Sequence, residues 1–362
     1  MKKDFLFNII LLLCVNLLIK PFYIFGIDRT VQNVVGEEQY GLFFTFFNLA
    51  YLMQIINDFG IQNYNSRTIA QDTSLIPSYL PSLIFLKSGL AILFAIALFG
   101  IAYLLGYRMP DLSLLGIICL SLIFSAFFLF FRANIAALGR YTTDSLLSVL
   151  DKVLMIVVVG FLLWFYKDKS NFSIYWFAYA QAIVFAVSAF IAFLILKGRI
   201  PKLVFIKDKE FYVDLFKKSL PFALVLVLMT IYTRIDAVMI ERMLPDGERQ
   251  AGIYAAGYRI LDATNMLGFL VAGLLLPMFS KLLKASKSVE SLCILSFRFI
   301  FTIIFTFAVI SFFYQQPLME LLYDEAINAP VYYGKVFGML MLGGIAINTS
   351  YVFGTLLTAN AN

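Results

Sequence analysis

Apolar runs of about 20 residues recur from one end of this 362-residue chain to the other,. A helix rises ~1.5 Å per residue, so ~20 residues cross the ~30 Å hydrocarbon core of a bilayer. Ten such segments are read, at 5–25, 40–58, 81–105, 112–131, 146–166, 174–196, 219–240, 252–276, 291–313 and 331–357. Composition agrees with them. The chain is 62% apolar and 14% charged, with a mean hydropathy of +0.89, where a soluble domain carries ~25% charged residues. An all-α polytopic membrane protein is expected.

Several chemistries are excluded at once. There is no histidine, which removes His-based zinc sites, Ser-His-Asp triads and His proton relays. Cys14, Cys119 and Cys293 stand singly inside apolar runs, a spacing that supports no disulfide framework, CxxC pair or metal cluster,. Neither a GxxxxGK[ST] phosphate loop nor a strand followed by GxGxxG occurs,. No cofactor and no ATPase within the chain is expected. The first run follows Lys2 and Lys3 but outlasts a signal-peptide core and ends at Lys20-Pro21 without a small-x-small cleavage site, so it reads as a retained helix,.

Lys and Arg number 28 and Asp and Glu 22, a net charge of +6. With the N-terminus placed inside, the inner loops hold 15 cations and the outer loops 6, which satisfies the positive-inside rule. The excess therefore reports topology, and nucleic acid is not an expected partner. The basic stretch at 197–218 divides the chain into an N-terminal bundle, 1–196, and a C-terminal bundle, 219–362. It reads either as an amphipathic cytoplasmic linker or as an ordinary basic loop,. An internal repeat supports the division: GEEQYGLF at 36–43 matches GERQAGIY at 247–254 in four of eight positions, at an offset of 211. The same offset carries Asn48, Tyr51 and Gln54 onto Arg259, Asp262 and Asn265, and Lys87 onto Arg298. Copies six helices apart share one orientation, so a pseudo-twofold axis along the membrane normal is expected.

Charges inside the segments are costly, roughly 2.5–3.5 kcal/mol each at a helix centre on insertion scales. Arg234, Asp236, Arg259 and Asp262 should therefore face one another or a watery cavity. By helical rise, Arg234 and Arg259 lie at one depth, ~10 Å below the outer end, with Lys20 near that level. Arg259, Asp262 and Asn265 share a face, and Thr45, Asn48, Tyr51, Gln54 and Asp58 form the matching stripe in the second segment,. Two readings stand: neutralising pairs that tie helices together, or a cavity for an anionic head group, since guanidinium binds phosphate bidentately. Lys87, Lys152 and Arg298 sit nearer the inner side, either snorkelling to lipid phosphates or recruiting an anionic substrate at a cytoplasmic mouth. Asp58, Asp236 and Asp262 are the candidates for ion coupling, and Tyr254 and Tyr258 for stacking on sugar. Pro21, Pro221 and Pro277 mark bends or helix ends.

These residues resemble a known family. The basic N-terminus, the pattern Gly36, Glu37, Tyr40, Gly41 and Phe43 opening the second segment, and DFGIQNYNSRTIA at 58–70 are similar to the polysaccharide transporter branch of the multidrug/oligosaccharidyl-lipid/polysaccharide exporter superfamily, which includes O-antigen flippases. Asp236 after Arg234, GIYAAGYRI at 252–260 and LLLPMFSK at 274–281 resemble that family's seventh and eighth helices. The likeness spans essentially the whole chain, on motifs specific to the fold more than to the substrate. It implies two six-helix-type bundles around a central cavity that flip a polyprenyl-diphosphate-linked oligosaccharide of O-antigen, capsule or exopolysaccharide, by alternating access. It further implies a bacterial inner-membrane location, membrane lipids and the pathway's polymerase and glycosyltransferases as partners, and Arg234, Arg259 and Lys20 as diphosphate ligands. Family members usually carry more helices than ten, so the second bundle is expected to be incomplete. Competing readings are a cation-coupled multidrug exporter of the same superfamily, a membrane-embedded polymerase or glycosyltransferase, and a non-transporting scaffold.

Overall fold

The computed structural model describes residues 15–16, 18–164, 172–198, 204–284, 287–324 and 330–360. Lys2, Lys3, Cys14, Lys167, Lys169, Glu325 and part of the basic linker, 199–203, lie outside the described residues. Among those described there is helix and no strand. A π-helical turn at Tyr23–Asp28 leads into α1 (Arg29–Leu52), α2 (Gln54–Asp58), α3 (Ile61–Gln71), α4 (Ile76–Leu104) and α5 (Asp111–Ala137). Then come α6 (Tyr141–Leu147), α7 (Leu150–Trp164), α8 (Ile174–Lys197), α9 (Lys209–Met243) and α10 (Gly247–Lys284). The chain continues in α11 (Glu290–Phe313), α12 (Gln315–Leu322) and α13 (Pro330–Asn360). Among the described residues, seven helices are individually long and apolar enough to cross a membrane, or eight when the helical pair Leu18–Leu52 and Gln54–Gln71, bent by 45°, is taken as one.

Where the first two segments meet, the structure departs from the expected ends. Helix does not stop where the apolar run stops at Phe25; it continues through IDRTVQNVV as far as Gly36, which has φ 81° and ψ 167°. A straight helix from Leu18 to Leu52 would measure ~52 Å, far more than a bilayer core needs. Gly36 divides it, because that backbone conformation is open to glycine and costly for residues with a Cβ. Lys20 is consequently ~24 Å of helix away from this break. The expectation that it lies near the outer end is corrected: the apolar run ended, but the helix did not.

Two compact units are formed, Met1–Ala251 and Gly252–Asn362. In the first, α5 packs along α8, α9 along α1 and α3, and α2 against α4. Its core includes Ile61, Ile69, Leu83, Phe130, Ile135 and Ala192. In the second, α11 and α12 pack on α13 around Leu275, Phe279, Ile300, Ile304 and Val352.

Helix breaks place the polar groups of the first unit. Phe59 (φ 48°) and Gly60 (φ 71°) both adopt left-handed conformations, ending α2 and starting α3. A Cβ on Gly60 would come within 2.7 Å of both Ser219 O and Ala223 N on α9, so the start of α3 touches the α9 backbone beside Pro221. At the start of α4, Pro81 has no N–H to give the Pro77 carbonyl. Val204 N donates to that carbonyl instead, at 2.9 Å, and Ile206 N donates to Ser82 Oγ at 2.9 Å. Phe205 against Phe85 and Phe211 against Tyr79 extend this clasp between the segment before α9 and the first turns of α4.

Gly60→Ala should lower stability by about 2–4 kcal/mol, combining left-handed strain with overpacking against α9. Gly89→Ala, whose Cβ meets nothing within 4 Å, should leave stability unchanged or raise it by roughly 0.5–1 kcal/mol. Thermal unfolding of the two variants in detergent compares them directly, and equal melting temperatures would contradict the close α3–α9 contact.

Candidate functional site

The polar stripe of the second segment faces α9. Residues 226, 230 and 234 of α9 are spaced by four and share a helix face. Arg234 Nη1 donates to Asn48 Oδ1 at 3.4 Å, and its guanidinium carbon lies 5.2 Å from the centroid of the Tyr51 ring. Asn48 is itself held by donating from Nδ2 to Phe44 O at 2.7 Å. A cavity of about 200 Å³ opens beside them, lined by Tyr51, Gln54, Asp58, Gln62, Leu226 and Thr230 among others. Arg234 thus reaches the stripe that the sequence marked.

Asp58 closes the stripe. It forms an ion pair with Lys87 of α4, and its other oxygen accepts from Gln62 N, at 3.3 Å, in the first turn of α3. The carboxylate is therefore held by a cation and by a helix N-terminus,. Lys87 is fully buried, with its ammonium 5.5 Å from the Phe130 ring centroid. This corrects its assignment as a mouth cation: position along the apolar run gave a depth but not a facing, and the side chain turns inward to Asp58. Arg298, its counterpart in the repeat, is exposed on α11.

A second cavity, about 240 Å³, gathers Lys20, Arg132 and Lys152. Lys152 Nζ is 3.1 Å from Asp151 Oδ2 and 4.6 Å from the Tyr23 ring centroid. Arg132 Nε donates to Asp144 Oδ1 at 2.9 Å. Lys20 and Lys152 therefore belong to one cluster, not to two levels. Arg132, Asp144 and Asp151 were missed. The apolar run ends at Phe131, which put Arg132 in a loop, whereas α5 continues to Ala137. Asp28 is buried at the end of the π-helical turn. Tyr51 borders both cavities.

Asp236 is half-buried, its Oδ1 accepting from Ala237 N at 2.9 Å. In the second unit Arg259 and Asp262 are half-buried on α10. Asn265 Oδ1 accepts from Asn348 Nδ2 at 2.8 Å. Tyr254 and Tyr258 pack on each other with centroids 5.4 Å apart, and Tyr258 is buried. Among the described residues no group of three or more Cys, Asp or Glu side chains is placed to hold a metal.

At the end of the first unit that bears the α4–α5 turn, buried Tyr107 donates to Glu241 Oε2 at 2.5 Å, and Arg242 stacks 3.4 Å from its ring centroid. Burial, and next its bond to Glu241, hold the Tyr107 phenol above the usual tyrosine range. A raised acid favours the folded state below its ordinary value and loses that contribution as pH rises through the raised one. Amide protection near the α4–α5 turn, taken relative to the intrinsic exchange rate at each pH, should therefore fall on strong alkalinisation and stay flat on mild acidification, and Tyr107→Phe should remove the alkaline fall,.

Lys87→Met should destabilise the protein by about 3–5 kcal/mol, because Asp58 is left charged without its cation. Adding Asp58→Asn should recover most of that loss. Additive losses in the double-mutant cycle would show that the pair is not coupled.

Residues 5–283 match the family described as polysaccharide biosynthesis protein. No curated protein matches the chain. Among solved structures, the inward-facing form of a multidrug resistance MATE family transporter of the MOP superfamily superposes with a TM-score of 0.67 at 15% identity, covering 93% of this chain and 81% of that one. MATE in complex with MaL6 gives 0.58 at 16% identity, covering 98% and 82%. An outward-facing MATE transporter gives 0.54 at 16% identity, covering 97% and 85%. The chain is a multi-pass membrane protein that belongs to the polysaccharide biosynthesis protein family, and its fold is similar to that of solved MATE transporters.

Proposed function

We propose that this protein flips a polyprenyl-diphosphate-linked oligosaccharide across the bacterial inner membrane by alternating access. The observation that carries the reading is Arg234, a guanidinium held within a membrane-length helix against Asn48 and the face of Tyr51, next to a cavity. Such a group suits a diphosphate, whose paired oxygens match the planar fork of donors. Arg259, directly after Tyr258, is the corresponding candidate in the second unit. The family description supports a substrate from polysaccharide assembly. Asp236 and Asp262 remain the candidates to couple an ion, while the carboxylate of Asp58 serves Lys87 and the start of α3. Exposed Arg298 remains the mouth cation of choice.

The test is translocation of a fluorescent polyprenyl-diphosphate oligosaccharide in proteoliposomes. Arg234→Ala and Arg259→Ala should each slow flipping about 10- to 100-fold, the equivalent of one charge-assisted hydrogen bond of ~1.5–3 kcal/mol, with the amount of folded protein unchanged. Parallel losses of folded protein and activity would instead make the arginines structural. Export of organic cations without lipid flipping would move the chain to the multidrug reading that the MATE fold also accommodates. Elongation of the glycan would indicate a polymerase.

A further inference from the structure

The cavity around Lys20, Arg132 and Lys152 holds more positive charge than packing requires. Arg132 has Asp144 and Lys152 has Asp151, at 2.9 and 3.1 Å. Lys20, half-buried on the same cavity wall, has no ion-pair partner among the described residues. Three cations therefore meet two carboxylates. A half-buried charge within a membrane protein is costly, and such a protein keeps one where it faces water or an anion. Donors also remain: Lys152 makes one of its three possible ammonium contacts to Asp151, and Arg132 has a guanidinium fork only partly used by Asp144,.

Shape and lining narrow the occupant. About 240 Å³ far exceeds the ~10–15 Å³ that one water needs,. The walls include the rings of Phe47, Tyr51 and Phe185, with Ser125 on the border. A bare inorganic anion has no use for ring faces, whereas a sugar ring presents an apolar C–H face to them and hydroxyls to serine. We propose that this cavity binds a carboxylate-bearing sugar, a uronate-type residue of the transported glycan, with Lys20 meeting the acid group and Arg132 and Lys152 holding the field around it. Its placement rests on the flippase reading. Tyr51 borders this cavity and stacks near Arg234, so a diphosphate held at Arg234 leaves an adjoining sugar within reach. The oxyanion site itself does not depend on transport.

Binding to the purified full chain in detergent, followed by calorimetry, tests the site with methyl glucuronide, methyl glucoside, inorganic phosphate and phosphatidylglycerol. Wild type should bind the glucuronide at least about tenfold more tightly than the glucoside, the scale of one charge-assisted hydrogen bond. Lys20→Gln should erase that difference and Lys20→Arg should restore it. Equal binding of glucuronide and glucoside by wild type overturns the proposal without recourse to any variant. So does a preference that survives Lys20→Gln, or a Lys20 dependence shown by phosphate or phosphatidylglycerol and not by the glucuronide. In proteoliposomes, a uronate-capped lipid diphosphate should flip faster than its glucose-capped twin. Glucuronide selectivity without flipping of either lipid supports the site and overturns the transport reading alone.

Discussion

A charge or backbone amide inside the hydrocarbon core finds no water, so it has to be satisfied by the protein itself. That constraint organises the first unit. Lys87, fully buried on α4, needs a carboxylate, and Asp58 supplies it from the end of α2. Asp58 can do so because the helix ends there: Phe59 and Gly60 take left-handed conformations, and the free N–H of Gln62 turns toward the same carboxylate. Ion pair, helix break and cap form a single arrangement, and none of the three stands without the others.

That break in turn fixes α9. The absence of a Cβ on Gly60 lets the start of α3 rest on the α9 backbone at Ser219 and Ala223. With α9 held there, its register sets Leu226, Thr230 and Arg234 on the face toward Tyr51 and Asn48. Arg234 is therefore positioned by packing some ten residues away, as well as by its own hydrogen bond. The two cavities meet at Tyr51, so the unit carries a run of polar groups from Asp58 to Lys152 along one side.

Much of this was legible in the sequence, because apolar length is a direct readout of the bilayer. The described parts of the segments from the second to the tenth are helical, although the second and the fifth are each divided between two helices, and Tyr51, Gln54 and Asp58 of the polar stripe line one cavity. What could not be read is where a helix ends once it leaves the apolar run. Lys20 and Arg132 were both misplaced for that reason, since helix continues past Phe25 and past Phe131. The polar helix α3 lacks an apolar run altogether. Pairing across the fold is likewise silent in sequence: Asp58 and Lys87 are 29 residues apart, and only their contact shows that Lys87 faces inward. The repeat led to equating Lys87 with Arg298, yet one is buried and the other exposed, because the repeat preserves a position in a helix and not the neighbour it meets.

The clasp at Pro77 and Ser82 has a mechanical consequence. By taking up the carbonyl that Pro81 leaves idle, the stretch before α9 anchors the near end of that long helix to α4. Pro221 removes a rung from the α9 ladder a few turns further on, beside the Gly60 contact,. The helix is then a lever: its root is pinned, its fulcrum lies where α3 rests on it, and Arg234 rides on the free arm. A small rotation at the fulcrum is enlarged at Arg234, while the root stays in place.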